Sequence, residues 1–131
     1  MSSQCLGHFK RGDVLIVLSN SGTTRECVAC CGAVRERLEH ETAGGAAQLE
    51  SSIVGIYSSA RDGEQVALTA DHISHFCDHR LAYDLVEPDL LGDRCPTSSI
   101  IVQEALVNCL VESAVLQTRF TEREFLLNHP A

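Results

Sequence analysis

Residues 13–24 read Asp-Val-Leu-Ile-Val-Leu-Ser-Asn-Ser-Gly-Thr-Thr, and they decide the fold that we expect for this chain. The uninterrupted apolar run from Val14 to Leu18 predicts a strand buried on both faces of a parallel sheet. Hydroxyl residues and a glycine follow the strand directly, and a helical pattern follows them. The stretch therefore predicts a strand, a tight turn and a helix, as at the start of an α/β unit.

The turn has the composition of a phosphate-binding loop. Ser19, Ser21 and Thr24 offer hydroxyl groups, and Gly22 lets the backbone approach a ligand closely. The free N–H groups at the start of the next helix would point at the same place and would favour an anion there. The alternative is purely structural, because a strand, a serine-rich turn and an ordinary helix N-cap have the same composition.

The bulk properties of the chain exclude several classes of protein. A length of 131 residues fits one domain spanning residues 1–131. The longest apolar runs fall short of the roughly 18 residues that a membrane span needs, so no membrane partner is expected. A net charge of −8 argues against nucleic acid, whose backbone attracts clustered Lys and Arg. Residues 1–10 lack an apolar signal core, so we expect a cytoplasmic protein whose seven cysteines are free thiols.

The remaining pattern alternates strands and helices. A helix is predicted from Thr24 to about Glu41, with Thr23 or Thr24 near its N-cap, and a second buried strand at 52–58. Weaker signals predict a short helix at 65–70, strands at 72–76 and 82–86, and loops at 43–47, 62–63 and 88–96. A long apolar helix should run from Pro96 to about Thr118, and the spacing of Thr121 and Glu124 predicts a capping box before a short helix. This order predicts an α/β sandwich with a mostly parallel sheet, in which ligands bind where residues 19–24 lie, at the carboxyl ends of strands.

Two segments resemble one known family. Residues 12–24 resemble the signature of sugar isomerase (SIS) domains, and within them the arabinose 5-phosphate isomerases. Residues 95–99, Cys-Pro-Thr-Ser-Ser, are similar to the Ala-Pro-Thr-Ser-Ser that opens the last long helix of those enzymes. Residues 119–131 are similar to their Gly-Phe-Thr-x-x-x-Phe-x-x-x-His-Pro-Gly ending. The resemblance implies a three-layer SIS sandwich, of the Rossmann or flavodoxin-like kind, and a homo-oligomer with no cofactor.

The chain also departs from that family. It begins within the family's domain, so the expected fold lacks the first strand and the Gly-x-Gly-Lys-Ser whose lysine is implicated in catalysis. Ser3-Gln4-Cys5 precedes Leu6-Gly7 where the family has His-Gly-Asp. We therefore expect an N-terminally truncated domain with weakened activity.

The resemblance gives each candidate site residue a role. Ser19, Ser21 and Thr24 would hold the phosphate of a sugar phosphate, with Asn20 and Gly22 shaping the loop. Glu26 falls at a catalytic glutamate of the isomerases, although a first-turn acid also suits the helix dipole. The family also has a second glutamate and a histidine at its site. Glu87 lies nearest the second glutamate, but an ungapped count puts Pro88 there, and a solvated loop acid is the alternative. His129 matches the histidine that lies near a neighbouring subunit's site, while a disordered terminus is the alternative.

The sequence does not favour a metal site. His72, His75, His79 and Cys77 are close in sequence, but in the strand predicted at 72–76 His72 and His75 would point to opposite faces. Cys27, Cys30 and Cys31 lie on a predicted helix without two further evident ligands for zinc.

Three functions follow from these observations. The first is aldose–ketose isomerisation of a sugar phosphate, most like arabinose 5-phosphate to ribulose 5-phosphate, in which carboxylates and a histidine move a proton between C1 and C2. The second is a non-catalytic module that binds a phosphosugar. The third is a fragment that folds only within an oligomer, because a sheet without its first strand exposes an edge.

Overall fold

The computed structural model describes residues 9–10, 12–43, 51–61, 64–65, 71–87 and 96–128. The elements follow one another as β1 (Val14–Leu18), α1 (Arg25–Ala43), β2 (Ser52–Ser58), β3 (Ala60–Arg61), β4 (Glu64–Gln65), a 3₁₀ helix (Ile73–His75), β5 (His79–Tyr83), α2 (Ser98–Thr118) and α3 (Glu122–Asn128). The strands predicted at 14–18 and 52–58 and the helices that start near residues 24, 96 and 121 are confirmed.

A three-stranded parallel sheet is the centre of the fold. Its order is β1-β2-β5, with β2 between its two neighbours, and β3 and β4 form a separate antiparallel pair. Leu18 of β1 lies opposite Ile56 of β2, and Ile56 lies opposite Leu81 of β5. Because all three strands run the same way, their carboxyl ends meet at one edge of the sheet. The α/β class and the parallel sheet are thereby confirmed.

The core lies between α1 and one face of the sheet. Cys31, Val34 and Leu38 of α1 are buried there, and they pack with Val17, Ile53, Tyr57, Ile73 and Cys77. At the rim of this core Arg35 forms an ion pair of 2.9 Å with Asp78. The Asp78 carboxylate also accepts a 2.8 Å hydrogen bond from the Ile53 backbone N–H. These contacts fasten α1 to the sheet and so fix where α1 begins.

The opposite face of β1 differs from the sequence prediction. Val14, Ile16 and Leu18 are 53%, 38% and 38% exposed, so the strand is not buried on both faces. Side chains along β1 alternate between the two faces of the sheet, and Val17, on the α1 side, is buried. A continuous apolar run predicted two covered faces, and the described part of the chain covers only one of them fully.

Within the described residues, helix α2 is anchored at its first half. Ser99 is buried, whereas residues 111–120 are exposed on every side of the helix. By length and composition α2 could cross a membrane, since it has 21 residues and its most apolar window has a mean hydropathy of 1.5, although only 6% of that window is buried. The sequence prediction concerned uninterrupted apolar runs, whereas this criterion averages over a window that includes Glu104 and Glu112, so the absence of a membrane partner stays a prediction.

The segment from 71 to 83 also differs from the prediction. Residues 73–75 form a 3₁₀ helix where a strand was predicted, because the His72 imidazole accepts a hydrogen bond from the Ser74 backbone N–H and closes a turn. The following strand is β5 at His79–Tyr83, earlier than the predicted 82–86. Gln65, predicted to start a helix, belongs to β4. The predictions for 44–47, 62–63, 66–70 and 88–95 lie outside the described residues.

Candidate functional site

The loop of residues 19–24, called here the β1–α1 loop, leaves the carboxyl edge of the sheet. Its first two residues continue the pairing with β2. Ser19 donates its backbone N–H to the Ile56 carbonyl at 3.0 Å, and the Asn20 carbonyl accepts from the Ser58 N–H at 2.9 Å. The sheet therefore fixes the start of the loop, and α1 fixes its end.

The hydroxyl groups of the β1–α1 loop lie in two pairs, Ser19 with Thr24 and Ser21 with Thr23. The oxygens Ser19 Oγ and Thr24 Oγ1 are 2.8 Å apart. Ser21 Oγ accepts from the Thr23 hydroxyl at 3.0 Å and from the Thr23 N–H at 3.2 Å. Ser19 is buried, and its Oγ also accepts from the Gly22 N–H at 3.1 Å, so its first task is to brace the loop. Thr24 is exposed and Ser21 half-buried, so their hydroxyls are the more accessible to a ligand.

Gly22 needs to be glycine for two separate reasons. Its φ of +70° lies in the left-handed region, which disfavours residues with a side chain. A Cβ atom there would lie 1.9 Å from Nε2 of His72. The Gly22 carbonyl accepts a 2.8 Å hydrogen bond from the Ile73 N–H, so the loop is also bonded to the 3₁₀ helix.

Asn20 joins the loop to two distant elements. Its Oδ1 accepts a 2.8 Å hydrogen bond from the Tyr83 hydroxyl, at the end of β5. The same hydroxyl accepts a 2.8 Å hydrogen bond from Nε2 of Gln103 on α2. Burial raises the pKa of Tyr83, and the Gln103 amide opposes that shift in part. Sequence reasoning missed Tyr83 and Gln103, because the strand predicted at 82–86 put Tyr83 near its start and not at the carboxyl end of a strand.

Helix α1 presents its N-terminus to the same edge. Glu26 lies in its first turn and is exposed. In the described part of the chain, the backbone N–H groups of Arg25, Glu26 and Cys27 have no hydrogen-bond acceptor. These groups and the helix dipole favour negative charge next to Thr24.

Glu87 serves a different helix. Its Oε1 accepts from the Thr97 N–H at 2.6 Å, the Thr97 hydroxyl at 2.9 Å and the Ser98 N–H at 2.8 Å, and its Oε2 accepts from the Ser99 N–H at 2.9 Å. The carboxylate thereby caps the N-terminus of α2 from a distance of ten residues along the chain. Hydrogen bonds from Ser99 and then from Thr97 outweigh the opposing effect of desolvation and hold the pKa of Glu87 at about 2.

His129, the third predicted catalytic residue, lies outside the described residues. His75 and His79 are exposed, while His72 is fully buried beneath the β1–α1 loop. Among the described residues no group of three or more His, Cys, Asp or Glu side chains is placed to hold a metal ion. Cys27, Cys30, Cys31, Cys77 and Cys109 are free thiols, as predicted for them.

No family model, curated protein or solved structure matches the chain. A function is therefore inferred from the geometry of the β1–α1 loop and from the sequence motifs that resemble those of SIS domains.

Replacing Gly22 by alanine tests the packing beneath the loop. Gly12 provides a matched control, since its φ is +89° but a Cβ there meets nothing within 4 Å. Both variants should pay the cost of a left-handed alanine, about 1 kcal/mol, and Gly22→Ala should lose a further 1 to 3 kcal/mol, roughly, because His72 must move. Urea unfolding measures both values. Equal losses for the two variants would contradict the packing described.

Glu87→Gln tests the cap of α2. The folded-state pKa of Glu87 lies below the ordinary value of 4.5, so its contribution to stability is complete above that pH and is lost as the pH falls toward about 2. The glutamine variant should be less stable at pH 7 and should show a shallower loss of stability between pH 4.5 and 2. Unfolding of the exposed-site control Glu104→Gln should follow the unmodified protein. A Glu87→Gln profile parallel to that of the unmodified protein would rule the cap out.

Proposed function

We propose that the chain binds a phosphorylated sugar at the β1–α1 loop, and that its fold is a three-layer SIS sandwich. The observation that carries the proposal is that the accessible hydroxyl groups of Ser21 and Thr24 lie in one short loop, which leads from the carboxyl edge of a parallel sheet into the first N–H groups of α1. This is the place where open α/β sheets bind ligands, and the groups are those that hold a phosphate.

The net charge of the protein favours a phosphate site made of backbone N–H groups and hydroxyls rather than of lysine side chains. The chain carries 18 acidic and 10 basic residues, so it has no general attraction for anions. A phosphate at the loop would be held by hydroxyl and amide donors and by the dipole of α1, which act over one turn of helix. The sugar would extend toward Asn20, Tyr83 and Gln103, whose amide and phenol groups are suited to sugar hydroxyls.

Isomerisation of the aldose to the ketose is the second candidate function. The reaction needs a base with a free lone pair and a pKa not far below the working pH. Glu87 is a poor base, because four hydrogen bonds occupy its oxygens and its pKa is about 2. Glu26, exposed beside the loop, is the better candidate. Turnover is therefore proposed only with Glu26 as the base, and binding is the better supported function.

We further propose that the protein is a cytoplasmic homo-oligomer. Parallel sheets are normally covered on both faces, and Val14, Ile16 and Leu18 are exposed on one of them. Further exposed apolar residues lie on α2 and α3 and at the turn between them, namely Leu116, Phe120, Leu126 and Leu127. We attribute the composition of α2 to protein contacts rather than to a membrane, since the buried Ser99 and the Gln103–Tyr83 hydrogen bond fasten its first half to the sheet.

Binding and turnover are separated by two variants. Ser21→Ala removes an accessible hydroxyl and should weaken arabinose 5-phosphate binding about tenfold or more, because hydrogen bonds to a charged group are strong ones. Glu26→Gln should leave binding within about threefold while abolishing any ketose production. Calorimetric titration measures the first effect and a ketose assay the second. Ser51→Ala is the control, since Ser51 Oγ accepts from the Gly12 N–H at the other end of β2.

The outcomes distinguish the two functions. If Ser21→Ala weakens binding and the unmodified protein produces no ketose, the protein is a non-catalytic module that binds a phosphosugar. Unmodified protein that binds neither arabinose 5-phosphate nor another phosphosugar would end both proposals.

Leu116→Asp tests the oligomer. Leu116 is 78% exposed, so a charge there should leave the protomer folded but should convert oligomer to monomer in sedimentation velocity. Asn108→Asp adds the same charge at another exposed position of α2 and should leave the oligomer intact. An unmodified protein that sediments as a monomer at all concentrations would contradict the proposal.

A further inference from the structure

His72 lies directly beneath the β1–α1 loop with no exposed surface. Its Nδ1 accepts a 3.1 Å hydrogen bond from the Ser74 backbone N–H and lies 2.8 Å from the Ser74 hydroxyl. An Nδ1 that accepts from a backbone N–H carries no proton, so the neutral ring carries its proton on Nε2. The ring edge packs against Tyr57, with centroids 4.8 Å apart and planes at 84°. The tautomer and the orientation of His72 are therefore both determined.

The Nε2–H group of His72 faces the loop without a partner. Nε2 is a buried atom with no hydrogen-bond acceptor in the described part of the chain. It lies on the side of Gly22 where a Cβ would project, at 1.9 Å from that position. A buried donor without an acceptor is rare in folded proteins, and it indicates a bond that forms in another state.

The Ser21–Gly22 peptide is the natural acceptor. Its N–H donates to the Ser19 carbonyl and to Ser19 Oγ, at 3.2 and 3.1 Å. Because the peptide is planar and trans, its carbonyl oxygen points away from Ser19. The Ser21 backbone is near enough to the ring to favour its protonated form, although it falls short of a hydrogen bond.

We propose that His72 is a positioning residue for anion binding: a phosphate at the β1–α1 loop brings the Ser21 carbonyl onto Nε2–H of His72. The anion accepts a hydrogen bond from the Ser21 hydroxyl, so its binding acts on the residue whose backbone carbonyl lies next to the ring. The new hydrogen bond then holds the loop in its bound form. This inference rests on the proposed function and adds to it the group that supports the loop from inside the protein.

The role requires a neutral imidazole. Burial lowers the pKa of His72, and the charges of His75 on the 3₁₀ helix and Arg80 on β5 lower it further, while the Ser21 backbone opposes them. Tyr57 on β2 presents an aromatic ring to it. Protonation of Nδ1 would set its N–H against the N–H of Ser74, so His72 should lose its position as the pH falls below the ordinary histidine range, which lies near 6.5.

Two variants separate the two nitrogens. His72→Gln places an amide N–H near the position of Nε2, whereas His72→Asn keeps an acceptor near Nδ1 and leaves no donor beneath Gly22. Affinity for arabinose 5-phosphate and for inorganic phosphate, from calorimetric titration, should fall about tenfold or more in His72→Asn and stay within about threefold in His72→Gln. His75→Gln, an exposed neighbour, is the control. The pH dependence of each affinity is measured as well, and because the ligand itself titrates near pH 6, it is expressed as a ratio to that of the control.

Nitrogen NMR of His72 gives a readout that simple loss of folding would not. The ring should be the Nε2–H tautomer in the free protein, and the Nε2 proton should shift downfield when phosphate binds. An Nδ1–H tautomer, or His72→Asn binding with the affinity of the unmodified protein, would overturn the role of His72 while leaving the proposed function intact. An unmodified protein without affinity for either ligand would overturn both.

Discussion

The hydrogen bond from the Ile73 N–H to the Gly22 carbonyl, with the His72 ring packed under Gly22, is the constraint on which the site depends. It ties the β1–α1 loop to a segment about 50 residues further along the chain. The loop is also held at its two ends, by the pairing of β1 with β2 and by the first turn of α1, and by the Tyr83–Asn20 hydrogen bond. Because Gly22 has no side chain, the loop can lie directly on the imidazole, and the hydroxyls of Ser21 and Thr24 remain on its outer side.

The same edge of the sheet gathers the polar groups of three elements. Tyr83 reaches Asn20 in the loop and Gln103 on α2, so the loop, β5 and α2 share one chain of hydrogen bonds. Glu87 lies four residues after Tyr83, and its carboxylate caps the N-terminus of α2. Through this cap, a glutamate near the Pro-Thr-Ser-Ser segment stabilises α2 whether or not any catalysis takes place. A residue implied by resemblance to be catalytic thus has a structural role that sequence comparison alone does not reveal.

The elements that were predicted correctly from the sequence are those specified by residues close together along the chain. The bounds of β1 and β2 were predicted correctly, because short β-branched runs end in polar residues at both places. The capping box of α3 was also correct, since Thr121 and Glu124 bond reciprocally within three residues. The 3₁₀ helix at 73–75 was missed because a single side chain, His72, caps it. The Tyr83–Asn20 contact and the exposed face of β1 depend on tertiary packing, which no periodicity of the chain encodes.

The central claim is that the β1–α1 loop binds a phosphorylated sugar. Amide chemical shifts during a titration with arabinose 5-phosphate test it most directly, since they report each residue of the loop separately. The account predicts that the largest changes fall on residues 19–27, with smaller ones at Ile73 and Tyr83, and that they saturate together. Changes centred elsewhere, or no change at millimolar ligand, would contradict it.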